Sequence, residues 1–145
     1  MDIKSDFIET LSELMDEQNL TSDALGNAIG VNGSVVRCWK QGKNKLYLSN
    51  ALKLAEFFSC SLEFLIGRTD ERLSFTPKPY PPFHDRLLQV MKEQGKSRYS
   101  VVKETAFSNG HFSKWKAGSD PYLESLVNLS NYLNCTLDYL VGRET

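Results

Sequence analysis

At 145 residues, with 24% charged and 41% hydrophobic side chains, the chain is long enough for one ordinary domain or for two small ones of about 60 residues. A formal net charge of −1 excludes a uniformly basic coat for nucleic acid and leaves a local basic face as the electrostatic route to such a partner. Cys38, Cys60 and Cys135 are widely spaced and form no CxxC pair, so no disulfide framework or zinc site is expected, and no apolar run reaches the roughly 20 residues of a membrane span.

In chain order, Phe7, Leu11, Leu14 and Met15 recur at the spacing of one helical face. Thr21 is placed to cap a second helix carrying Leu25, Ala28 and Ile29, and Gly30 suits the left-handed residue of a tight turn. Asn32 then opens a third helix ending near Gly42, and Ala51, Leu52, Ala55 and Phe58 mark a fourth. A last turn begins at Ser61, where Glu63 favours the positive helix end. The same series follows in Phe83, Leu87, Val90 and Met91, then Ser97 with Val101 and Val102, then Ser108 to Gly118, then Leu126, Val127 and Leu133, then Thr136 with Asp138. No strand pattern interrupts it, so the expected class is all-α.

The repetition is explicit in the residues. Cys60-Ser-Leu-Glu-Phe-Leu-Ile-Gly-Arg68 is echoed by Cys135-Thr-Leu-Asp-Tyr-Leu-Val-Gly-Arg143, and Trp39-Lys40-x-Gly42 by Trp115-Lys116-x-Gly118. Two copies are too few for a stacked solenoid, which leaves two similar globular units, residues 1–70 and 83–145. Between them 71–82 forms a linker ending in Pro77-Lys-Pro-Tyr-Pro-Pro82, whose prolines disfavour helix and favour an extended spacer.

The stretch Leu20–Gly42, LTSDALGNAIGVNGSVVRCWKQG, is similar to the helix-turn-helix core of Cro/CI-type repressors, and so is Lys96–Gly118, KSRYSVVKETAFSNGHFSKWKAG. The second departs in Ala106, where the first has its turn glycine, and in Thr105, where the first is apolar. The resemblance implies two tandem lambda-repressor-like domains of five helices. It also implies that the third helix of each, about 32–41 and 108–117, enters the major groove of double-stranded DNA while the second crosses the backbone. Family positions for phosphate contact fall on Ser22 and Arg98, and on Gln41, Lys43 and Lys45 after the third helix.

Given that docking, helical geometry selects the base readers. Val36 and Trp39, three apart and apolar, turn inward, which leaves Gly33, Ser34, Arg37 and Cys38 facing the groove with Asn32 beside them. In the second copy the corresponding set is Asn109, Gly110, Ser113 and Lys114, with Ser108 beside them. Arg and Lys suit guanine O6 and N7, and Asn suits adenine, so the second copy is expected to be the better reader. Lys40 and Lys116 join the phosphate set. From Thr21 to Leu46 the cations Arg37, Lys40, Lys43 and Lys45 face only Asp23, and from Lys96 to Gly118 five cations face only Glu104.

Trp39 and Trp115 are expected in the core, His111 either on DNA or solvated, and Cys38 as an inert thiol. The expected activity is transcription regulation, as a repressor, in the cytoplasm, with a homodimer or another regulator as further partners. No cofactor, metal or small-molecule substrate is implied, and no nucleophile with a base or phosphate-cradling loop points to an enzyme. A competing expectation is a protein-interaction module or antirepressor, because residues 1–70 carry seven basic against ten acidic side chains.

Overall fold

A computed structural model describes residues 3–144, and among them every regular element is a helix. The chain divides into two compact units between Thr76 and Pro77. The first holds α1 (Ile3–Glu17), α2 (Ser22–Ile29), α3 (Gly33–Lys40), α4 (Leu48–Phe57) and α5 (Leu62–Leu65). The second repeats the order with α6 (Phe83–Glu93), α7 (Arg98–Glu104), α8 (Asn109–Lys116), α9 (Leu123–Tyr132) and α10 (Leu137–Leu140). No helix among the described residues is long and apolar enough to cross a membrane.

Each unit closes its own core. Phe7, Leu11, Leu14 and Met15 of α1 are buried with Leu25, Val36, Trp39, Leu54 and Phe58, and Leu87, Val90 and Met91 of α6 are buried with Val101, Phe112, Trp115 and Leu126. Burying a side chain of that size contributes about 1.5–3 kcal/mol, which is how helices this short persist. The expected caps close their helices: Thr21, Ser97, Ser61 and Thr136 accept the backbone N–H of Ala24, Ser100, Phe64 and Tyr139 at 3.0–3.1 Å.

Three core assignments from periodicity are corrected. Ala28 is exposed, and Leu52 and Val102 are only half-buried. In α2 the line toward α3 runs through Gly26, where a Cβ would lie 2.6 Å from the Val31 carbonyl oxygen in the turn and 3.0 Å from Gly33 N at the start of α3, so the helices meet through a glycine. In α4 the buried line is Leu48, Ala51, Leu54 and Ala55, continued by Phe58 just past the helix end, which leaves Leu52 on the flank.

The turns before the third helices differ. Gly30 takes the left-handed conformation, φ 81°, and its N–H donates to the Gly26 carbonyl at 2.8 Å. In the second unit α7 stops at Glu104 and Thr105 is extended, so Ala106 needs no left-handed backbone. The Thr105 hydroxyl donates to the Val101 carbonyl at 2.5 Å and accepts the Phe107 N–H at 3.1 Å, replacing with a side chain what glycine allows the backbone to do. Thr105→Val keeps the shape and deletes both bonds. It should lower the stability of the second unit by about 1–3 kcal/mol, read as a lower midpoint in urea at unchanged slope.

The segment expected as linker is partly fastened. Arg72 Nη1 donates to Glu17 at 2.9 Å and Nη2 to the Phe58 carbonyl at 3.2 Å, with the guanidinium over the Phe64 ring, so it belongs to the first unit. The repeated run Leu-x-x-Leu-x-Gly-Arg closes each unit with an ion pair, Glu63–Arg68 at 3.0 Å and Asp138–Arg143 at 2.8 Å.

Candidate nucleic-acid interface

Helix α8 is anchored from below by aromatic side chains. Trp115 packs against Phe83, Phe107 and Phe112 with ring centroids 5.4–5.5 Å apart. Burial of Phe112 and Trp115 leaves Asn109, Gly110, Ser113, Lys114 and Lys116 exposed, with Ser108 exposed at the cap. The two tryptophans are core residues, as their spacing predicts.

His111 is exposed on α8 and also closes the start of that helix. Its Nδ1 accepts the Ser108 backbone N–H at 3.0 Å and lies 3.1 Å from Ser108 Oγ, completing a capping box in which histidine stands where glutamate or glutamine is usual. Accepting that bond requires an unprotonated Nδ1, so the ring proton resides on Nε2. The ring rests against Phe107 and Trp115 at 5.3 and 5.7 Å.

Residues expected to act separately at the tip of α8 are joined. Arg98, first residue of α7, donates from Nε to Asn109 Oδ1 and from Nη2 to the Asn109 carbonyl, both at 2.9 Å, and its guanidinium lies 5.0 Å over the Phe112 ring. Ser113 Oγ donates to the same carbonyl at 3.1 Å. One arginine thus links the starts of both helices of the motif.

In the first unit Val36 and Trp39 are buried, and Asn32, Ser34, Arg37, Lys40 and Gln41 are exposed. Gly33, Cys38 and Ser22 are half-buried, so Cys38 is less open than its helical position suggests. Asn32 occupies the cap position without a side-chain cap bond, because its own carbonyl takes the Val35 N–H at 3.0 Å in a tight first turn. Lys43 and Lys45 follow α3 and are exposed. Arg37 Nη1 meets Asp23 Oδ1 at 3.0 Å, a pairing of residues fourteen apart that the charge count had set against one another without joining.

Sequence reasoning also passed over Tyr99, which stands in α7 where Asp23 stands in α2 and is 72% exposed, with Lys103 Nζ 5.8 Å from its ring centre. Behind the motif, the Tyr132 hydroxyl donates to Glu104 at 2.5 Å, fastening α7 to α9. The hydrogen bond to that carboxylate, with desolvation and its charge, pushes the phenol up to about 12. Tyr139 is raised in the same way by its bond to Glu93 on α6. Among the described residues no three His, Cys, Asp or Glu side chains cluster as a metal site.

Two short helices joined by a tight turn, the second exposing a polar and basic face over a buried apolar one, can lay that face into the major groove. A family model for the Cro/C1-type helix-turn-helix DNA-binding domain matches the chain twice, over residues 10–71 and 86–145. Neither a curated protein nor a solved structure matches it.

Proposed function

The chain belongs to the Cro/C1-type helix-turn-helix DNA-binding family, and from this premise we propose that it is a sequence-specific regulator, a repressor, that reads double-stranded DNA with α3 and α8. The observation that carries the proposal is the Arg98–Asn109 clamp. Adenine is read by an amide that accepts from N6–H and donates to N7. Asn109 Oδ1 has two lone pairs, and Arg98 occupies one, which fixes the amide plane at the helix tip and leaves the NH2 and a second lone pair for the base. Lys114, one turn on, supplies a donor for guanine O6 and N7. Asn32, Gly33, Ser34, Arg37 and Cys38 face the other half-site, with Ser108, Gly110 and Ser113 completing the second.

Ser22, Lys40, Gln41, Lys43, Lys45, Arg98 and Lys116 supply phosphate contacts, which set register and carry the salt dependence. The reading sets of α3 and α8 differ, so the operator is two unlike half-sites read by one chain. Occupying such a site over a promoter blocks polymerase, which is the repressor reading.

The test is selection from a randomised duplex pool at two salt concentrations. Wild type should enrich a two-part motif, and Asn109→Ala with Lys114→Ala should lose preference in one part and bind the selected duplex about 10- to 100-fold more weakly. If no duplex is enriched and residual binding only tracks salt, the chain is instead a module that docks on another regulator.

A further inference from the structure

The tips of the two recognition helices carry the same hydrogen-bonded unit with the helices' roles exchanged. In the second unit the guanidinium comes from α7, in Arg98, and the acceptor from α8, in Asn109. In the first unit the acceptor comes from α2, in Asp23, and the guanidinium from α3, in Arg37. Gly33 makes the exchange possible. A Cβ at residue 33 would lie 1.8 Å from Asp23 Oδ1 and 2.9 Å from Asp23 Cα, so the carboxylate fills the space where a side chain would begin. Helical side chains lean toward the N-terminus, and Arg37, one turn after Gly33, reaches back over that bare first turn to meet it.

We propose that Asp23 and Arg37 form the base-reading pair of the first unit, with Asp23 as a positioning residue that holds the Arg37 guanidinium at the tip of α3 for guanine O6 and N7. The inference rests on the DNA reading above. Arginine loses much rotamer freedom when it docks alone, and a carboxylate that already orients it removes part of that cost. Asp23 takes one of the five N–H donors and leaves an edge of the fork for a bidentate contact. Folding does not account for the pair: the side chains are 52% and 75% exposed, and ion pairs at that exposure add little stability. The two readers also differ in charge. The Asp23–Arg37 pair is neutral and supplies discrimination with little counterion release, whereas the Arg98–Asn109 pair keeps its positive charge.

The experiment is duplex selection by the full chain as wild type, Asp23→Ala, Asp23→Asn and Arg37→Lys, with circular dichroism to establish that each is folded. Arg37→Lys exchanges the bidentate fork for a single point donor and should weaken a guanine preference at one position by about tenfold or more, and Asp23→Ala should reduce that same preference about five- to tenfold. Asp23→Asn keeps an acceptor, as Asn109 does in the second unit, and deletes the charge. It should retain the guanine while binding every duplex more tightly. The proposal is overturned if Asp23→Ala tightens binding to all duplexes alike with the preference unchanged, which would make Asp23 a charge that holds Arg37 off DNA. It is overturned as well if Arg37→Lys alters no position while the half read by Asn109 is still selected. Absence of any selected motif removes the DNA reading itself, and this pair with it.

Discussion

Phe112→Ala is expected to unfold the second unit while the first stays folded. Phe112 is fully buried, packs edge-on against Trp115 at 5.5 Å, and lies beneath the Arg98 guanidinium. Truncating a core phenylalanine costs about 3–5 kcal/mol, through lost transfer energy and the cavity left behind. A domain of this size has roughly 3–10 kcal/mol of stability, so most or all of it is removed. Each unit contributes one tryptophan, Trp39 to the first core and Trp115 to the second. Urea titrations of Trp39→Phe and Trp115→Phe backgrounds therefore follow one unit at a time. With Phe112→Ala added, Trp115 should already fluoresce as in an unfolded chain at low urea, and Trp39 should keep its midpoint. Loss of both signals together would show that the two cores stand or fall as one. The same variant should lose the Asn109 half of the selected motif, because the ring that supports Arg98 is gone.

The helix order was legible because it is written in short-range periodicity. Phe7, Leu11, Leu14 and Met15 lie within two to three turns of one another, and caps such as Thr21 and Ser97 act three residues ahead. What was not legible depends on how α2 crosses α3 and how α7 crosses α8. Asp23 and Arg37 are fourteen residues apart and Arg98 and Asn109 eleven, and only the crossing brings their side chains together. A charge count treats Asp23 as a subtraction, whereas the structure makes it a ligand for the cation it was subtracted from. Ala28 failed as a core residue because an eight-residue helix offers two turns of pattern, too few to separate its face from that of Gly26. His111 and Thr105 had detectable signals, a Ser-x-x-His spacing and a hydroxyl near a helix end, but each stands where another residue type usually does that work.

The repeated ion pair that ends each unit should behave very differently in the two copies. Glu63–Arg68 and Asp138–Arg143 have the same spacing, and in both the arginine N–H also donates to the carboxylate residue's carbonyl, at 2.9 and 2.8 Å. Burial separates them. The side chains of Arg143 and Asp138 are 1% and 2% exposed, whereas those of Arg68 and Glu63 are 24% and 12% exposed. Asp138→Asn preserves the shape but leaves the Arg143 charge away from water without its carboxylate, a change that costs about 3–5 kcal/mol when a buried pair is broken from one side. Glu63→Gln should cost only about 1 kcal/mol, because solvent reaches Arg68 and screens what is lost. Unit-specific tryptophan titrations measure both. Replacing the second pair together, Asp138→Asn with Arg143→Met, should recover much of the loss, since the penalty lies in the stranded charge and not in a missing attraction. Equal small losses in the two units would mean that water follows Arg143 once Asp138 is gone, and that burial in the intact fold does not set the strength of the pair.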